Sequence, residues 1–210
     1  MKRIDAIADF ISPYKSIADI GCDHGYVIKQ AFDKCYIDNA YAIDNKFGPI
    51  ARAKDTLKDY KNVKYYLSDG LDSVDENIDC VIIAGMGGML IIDILEKNKD
   101  KLNYIKRLII EANKDEFKVR KYLAENGFYI YDEKIIEEDN KFYEIDVFEK
   151  GNVKYSFNEL YFGKVLIDKK EPTFLKKWEH KFNKYKDIKA YTVDEDKIKI
   201  MEGIKEILCK

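Results

Sequence analysis

Four short stretches hold most of the residues that could build a ligand site, and each follows an apolar run. The first is Asp19-Ile20-Gly21-Cys22-Asp23-His24-Gly25. Glycines there let the backbone approach a ligand, and a helix start after them carries positive partial charge. Only Gly21 and Gly25 are present, so this is not the G-x-G-x-x-G of dinucleotide folds. Asp23 and His24 between them would crowd a pyrophosphate, yet they suit a ligand bearing an ammonium and a carboxylate. The methionine moiety of S-adenosylmethionine has both. A tight turn with an incidental glycine pair explains this stretch, taken alone, equally well.

Asp44, followed by Asn45, closes the second run, 23 residues after Gly21. An acidic residue at that spacing can accept the hydroxyls of a ribose. Ser68-Asp69-Gly70 closes the third, and its carboxylate could accept the exocyclic amine of an adenine. Each aspartate singly reads as a cap or turn residue. Three at consecutive strand ends point further, because a doubly wound sheet gathers those ends at one crevice. Ile83-Ala84-Gly85-Met86-Gly87-Gly88 closes the fourth run and would form a wall poor in side chains, open to an incoming base. Glu111-Ala112-Asn113 follows the fifth. Its amide could bond a base edge, or Asn113 could simply cap the next helix.

These positions require particular elements. The apolar pattern predicts a helix over 2–11, then strands over 16–21, 40–44, 62–67, 78–84 and 107–111. Helices are expected over 26–34, through Ile50–Leu57, over 87–98 and over 116–125. Strands over 128–136 and 142–148, joined by a polar turn at 137–141, read as an antiparallel hairpin. Five βα units closed by a hairpin imply an α/β, doubly wound (Rossmann-like) sheet with an antiparallel last strand. Residues 1–150 would form that domain. Residues 151–210 turn purely helical and would form a C-terminal helical hairpin, two long helices joined around 190–194, on or beside the sheet.

Composition narrows the class. The chain has 210 residues, 46% hydrophobic and 36% charged, with net charge −2. The longest uncharged apolar run is 80–92, whereas a membrane helix needs about 20 residues, so no membrane span is expected. Asp5 and Asp9 interrupt the apolar stretch that a signal peptide would need, and the four cysteines show no metal-type spacing. A cytoplasmic chain without a metal is expected, and a monomer. Residues 1–150 carry a balance of −6 and residues 151–210 one of +4. Nine lysines (Lys164, Lys169, Lys170, Lys176, Lys177, Lys181, Lys184, Lys186 and Lys189) stand against four acids over 164–189. Such a face could hold phosphates, although a lysine-rich helix is ordinarily just solvated.

The order and spacing of Asp19-Ile20-Gly21-Cys22-Asp23-His24, Ile83-Ala84-Gly85-Met86-Gly87-Gly88, Arg107-Leu108-Ile109-Ile110-Glu111-Ala112-Asn113 and Tyr143-Glu144-Ile145 resemble the TrmK family. These are bacterial tRNA methyltransferases acting on N1 of adenosine 22. The likeness extends through Glu159-Leu160-Tyr161-Phe162-Gly163 and the helical tail. It implies a class I methyltransferase fold, S-adenosylmethionine as cofactor and tRNA as partner. The cofactor set would be Asp19, Gly21, Asp23, His24, Gly25, Asp44, Asn45, Asp69, Gly70, Ala84, Gly85, Met86 and Gly87. Asp23, Asn113 and His24 are the catalytic candidates. Cys22 stands where the family usually has Ser, Val27-Ile28 where it has Leu-Pro, and Glu111-Ala112 where it has Gln-Pro. Competing readings are a class I methyltransferase for another RNA, a protein or a small molecule, a nicotinamide oxidoreductase, and a nucleotide-binding regulator without chemistry.

Overall fold

The computed structural model describes residues 2–188 and 195–208. Its centre is one seven-stranded sheet. The strands are β1 (Ser16–Ile20), β2 (Asn39–Asp44), β3 (Val63–Leu67), β4 (Cys80–Met86), β5 (Arg107–Ala112), β6 (Phe128–Glu138) and β7 (Lys141–Lys150). They lie in the order β3-β2-β1-β4-β5-β7-β6. The first five are parallel, and β7 pairs antiparallel with both β5 and β6. The antiparallel last strand therefore sits one place in from the edge.

The helices are α1 (Lys2–Asp9), α2 (Tyr26–Asp33), α3 (Phe47–Thr56), α4 (Gly88–Lys97) and α5 (Glu116–Glu125), followed in the tail by α6 (Phe157–Phe162), α7 (Lys164–Lys169), α8 (Pro172–Ile188) and α9 (Glu195–Leu208). Covering both faces of the sheet explains the unbroken apolar runs of β4 and β5. Alternate residues go to opposite cores. Ile17, Ala42, Ile82 and Ile109 meet Ile7, Ile28 and Ala53 of α1, α2 and α3. Ile43, Val81, Ile83 and Ile110 meet Ile91, Leu95, Val119 and Leu123 of α4 and α5. Burying one such side chain is worth about 1.5–3 kcal/mol, so the sheet register is strongly held.

Two loops take a shape that sequence spacing leaves open. After β1, the N–H groups of Gly21 and Cys22 both donate to the Ile43 carbonyl, at 2.8 and 3.1 Å, tying that loop to β2. The β6–β7 turn is only Asp139-Asn140, both left-handed at φ +51° and +58°, a geometry whose twist suits a two-residue hairpin. The broader turn expected over 137–141 is corrected accordingly, since Glu137, Glu138 and Lys141 continue the ladder.

The tail begins with two short helices where the pattern reads as one stretch, because Gly163, at φ +89°, divides α6 from α7. Ser156 and Glu159 cap α6 reciprocally. Two long helices follow, α8 and α9, and the connection expected at 190–194 lies outside the described residues. Phe162, Leu166, Phe174, Trp178, Ile204 and Ile207 form the tail's core, which closes on Ile135 of β6. A second tie is ionic: Arg120 of α5 meets Glu133, Glu144 and Asp146 at 2.8, 2.5 and 2.7 Å, all buried. Lys177 of α8 enters the same cluster against Glu144. Among the described residues no helix is long and apolar enough to cross a membrane.

Candidate active site

Strand order reverses between β1 and β4, and crevices form at such switch points. Here the carboxyl ends of β1 to β4 open on a cavity of about 360 Å³, within the usual range of about 300–1,000 Å³ for small-ligand sites. Asp23, Asp44 and Asp69 all line it, with Gly21, Asn45, Gly70, Ala84, Gly85 and Met86. Residues expected together from their spacing at strand ends thus do share one place. Ile20, Ile43, Pro49, Leu90 and Ile94 supply the apolar wall. Gly21 sits at φ +73°, and a Cβ there would collide with the end of the Met86 side chain. Gly85, at φ +79°, faces open space and leaves its backbone bare.

The carboxylates differ in what holds them. Asp23 is 60% exposed, and Arg52 of α3 pairs with it at 2.5 Å. Asp69 pairs with Lys97 at 3.1 Å. Asp44 accepts the Lys46 N–H at 3.0 Å and meets no cation among the described residues. Asp19, on β1, is only 4% exposed and likewise has no cation. Burial, with the Asp44 charge adding to it, pushes its carboxyl from 3.8 up to about 7. Burial also pushes the Cys22 thiol well up, so it is a neutral thiol.

Some expected contacts are not brought to this crevice. Asp19, His24, Gly25 and Gly87 do not line it, Asp19 because its side chain is buried within the sheet. His24 stacks on Tyr26 with ring centroids 5.2 Å apart and lies 3.9 Å from Asp23. Gly25 has a packing reason: at φ +70° it starts α2, and a Cβ would stand 2.8 Å from Leu57. Gly87 precedes α4.

A larger cavity, about 840 Å³, adjoins at the ends of β5 and β7. Glu111, Asn113, Lys114, Lys141 and Tyr143 line it, and α8 closes it with Lys177, His180, Lys181 and Lys184. Gly85 links the two spaces. It lines the first, donates its N–H to Glu111 Oε2 at 2.9 Å, and accepts from Asn113 Nδ2 at 2.7 Å. Asn113 therefore braces the Gly85 carbonyl and is not the helix cap; Asp115 precedes α5 in that place. Glu111 is fully buried, with Arg3 of α1 donating to Oε2 at 3.2 Å. Burial raises its carboxyl, while Arg3 and the Gly85 N–H pull it down.

The lysine face of the tail is also revised. Lys164 pairs with Asp168, Lys169 with Asp132 and Lys176 with Glu137, while Lys170 donates to the Ile207 carbonyl. Lys177 is buried against Glu144 and cannot meet a phosphate. Lys181 and Lys184 remain at the second cavity. The Lys186 side chain and Lys189 lie outside the described residues.

A sequence model of the family described as TrmK, tRNA (adenine(22)-N(1))-methyltransferase, matches residues 17–208. The chain belongs to the TrmK family. A Bacillus subtilis protein named tRNA (adenine(22)-N(1))-methyltransferase is 32% identical across 99% of this chain and 96% of its own. A Streptococcus pneumoniae structure in complex with S-adenosyl-L-methionine superposes with a TM-score of 0.92 at 33% identity, covering 99% of each chain. The TrmK structure from M. capricolum, bound to S-adenosyl-homocysteine, gives 0.80 at 25% identity over 99% of this chain and 94% of that one. In this TrmK family member, the lining residues that sequence reasoning did not count among the site candidates are mostly apolar, such as Ile20, Ile43 and Leu90, together with Glu111 and Tyr143. Strand alternation would have singled out Ile20 and Ile43 as sharing one face; Glu111 carries no such local signal.

Proposed function

We propose that this protein transfers a methyl group from S-adenosyl-L-methionine to N1 of adenosine 22 in tRNA. The observation that carries the reading is a pair of cavities joined through the hydrogen bonds of Gly85 to Glu111 and Asn113, the first lined by Asp23, Asp44 and Asp69 and the second carrying Lys114, Lys141, Lys181 and Lys184. The acidic crevice fits the cofactor chemically. Asp44 would receive its ribose hydroxyls and Asp69 its adenine amine, while Asp19, buried without a cation and outside the lining, would add a negative charge that favours its ammonium. Ile43, Leu90 and Ile94 would flank the rings. When bound, the cofactor supplies an electrophilic methyl on a sulfonium sulfur.

The residues of the chain do the rest by placement. Adenine N1 already has an in-plane lone pair, so no proton must leave before attack, and the task is alignment with water excluded. Gly85 has no side chain to obstruct approach, and Asn113 holds its carbonyl still. A base that is normally paired must be unpaired or turned out first, at about a few kcal/mol. Lys114, Lys141, Lys181 and Lys184 around the second cavity would take the phosphates beside it. Asp23 lines the first cavity, with His24 3.9 Å from it outside the lining, and Asp23→Ala should slow turnover.

The direct test is to incubate the purified chain with unmodified tRNA transcript and labelled cofactor, then digest to nucleosides. 1-Methyladenosine at position 22 is expected. Methyl transfer to another atom or another RNA, or none at all, overturns the reading.

A further inference from the structure

We propose that the Tyr143 ring stacks on the target adenine, with Arg3 fixed behind it, and so holds the base beside Gly85 for methylation. This rests on the reading that adenosine 22 of tRNA is the substrate. A base turned out of its helix exposes N1 but loses the stacking it had there. An aromatic ring at the site restores that stacking, for a gain of about tenfold in affinity.

Three rings line the second cavity, those of Phe142, Tyr143 and His180. Neighbours on a strand point to opposite faces, and Phe142 packs against the tail core. His180 is exposed on α8 beside Lys181 and Lys184, where phosphate is the expected neighbour. Tyr143 takes the other face of β7. Ile145 pairs with Glu111 of β5, so Tyr143, two residues earlier, shares its face and stands level with the backbone just beyond β5, where Asn113 lies.

The ring is held from behind. The Arg3 guanidinium lies over it at 4.5 Å from the centroid and donates to Glu111 Oε2 at 3.2 Å. The same oxygen takes the Gly85 N–H at 2.9 Å. Tyr143, Arg3, Glu111 and Gly85 thus form one connected series, ending on the peptide that lines the cofactor crevice. An amide oxygen at position 111 could accept the same two hydrogen bonds, so the arrangement does not depend on a carboxylate there. Arg3 occupies one face of the ring and leaves the other for a base. A ring already fixed loses little freedom when the base arrives. Stacking is indifferent to the hydrogen-bonding edge, so Tyr143 supplies grip and alignment while the choice of base lies elsewhere.

The test is a double-mutant cycle between Tyr143 and the base itself, read as tRNA affinity of the S-adenosyl-homocysteine-loaded protein, in which no transfer occurs. Y143L should bind tRNA carrying adenosine 22 about tenfold more weakly than wild type, and Y143F within about twofold. On tRNA abasic at position 22, Y143L and wild type should agree within about twofold, because the partner of the ring is gone. Equal losses from Y143L on both RNAs would show that the ring merely packs Arg3, and equal affinities on both would show that it does nothing; either overturns the proposal. Should Y143L fail to fold, irradiating wild-type protein with tRNA carrying 8-azidoadenosine at position 22 decides: label on the peptide holding Tyr143 is expected, and label confined to other peptides overturns it. Wild-type protein that forms no 1-methyladenosine at position 22 would instead sink the functional reading, and this proposal with it.

Discussion

Two groups of carboxylates on this sheet, one buried and one half-buried in part, are treated oppositely. Where the tail meets the sheet, Glu133, Glu144 and Asp146 surround Arg120 and Lys177. Three carboxyls face one guanidinium and one amine; burial pushes Asp146 up to about 7 against the pull of Arg120, and pushes the Lys177 amine well down. Glu133 Oε2 also takes the Val165 N–H at 2.7 Å, so the cluster seats α7. Beside the crevice, the buried Asp19 feels the charge of Asp44 in its lining, and neither meets a cation among the described residues. Carboxylates with internal partners hold elements together. Carboxylates without them store free energy that only a cationic ligand releases.

Either group can be perturbed without touching the other. Arg120→Ala should have the largest effect, about 3–5 kcal/mol of lost stability in urea unfolding, because three buried carboxylates lose their main partner. A loss under about 1 kcal/mol would mean that the cluster is no strut.

Asp19→Asn should act in the opposite direction. A carboxyl raised from 3.8 to about 7 keeps, in the folded chain, a proton that the unfolded chain has released. Through this group, ligand-free protein loses stability as pH rises from about 4 to 7, up to about 4 kcal/mol in all. The variant should therefore be more stable than wild type at pH 8 and no different at pH 3, while binding S-adenosylmethionine at least about tenfold more weakly. Calorimetry in buffers of different ionisation enthalpy should detect proton release when wild type binds, and none in the variant.

Smaller effects are expected among the cations. Lys181 and Lys184 have no ion pair among the described residues, unlike Lys177 and Lys176 beside them. Replacing both by Ala should weaken the salt dependence of tRNA binding, the log–log slope shrinking by about 0.9 for each duplex phosphate that the protein then leaves unneutralised. Lys176→Ala should leave that slope unchanged. Lys97→Ala, which frees the exposed Asp69, should change cofactor affinity by less than about fivefold, as expected for a surface pair worth under about 1 kcal/mol.

The site was legible to the extent that it depends on strand ends. Asp23, Asp44, Asp69 and Gly85 were found because apolar runs mark parallel strands, and parallel strands align their carboxyl ends. His24 and Gly25 were drawn into the same expectation merely by lying in the loop. A loop's path depends on bonds such as those from Gly21 and Cys22 to Ile43, which spacing does not encode. The lysine face failed for a related reason: helical periodicity groups Lys176 and Lys177 with Lys184, but the carboxylates that claim the first two come from the distant hairpin.

The order of apolar runs, glycines and acidic residues was enough to specify a doubly wound α/β chain and the place of its crevice, because each follows from local periodicity and from a general rule of sheet topology. Which charges have partners was settled only in the folded chain. Arg120 with its three acids, Lys177 with Glu144, and Glu111 with one oxygen satisfied and one bare all depend on neighbours distant in sequence. Ionisation and affinity follow from such neighbours, brought together only when the sheet, hairpin and tail close on one another.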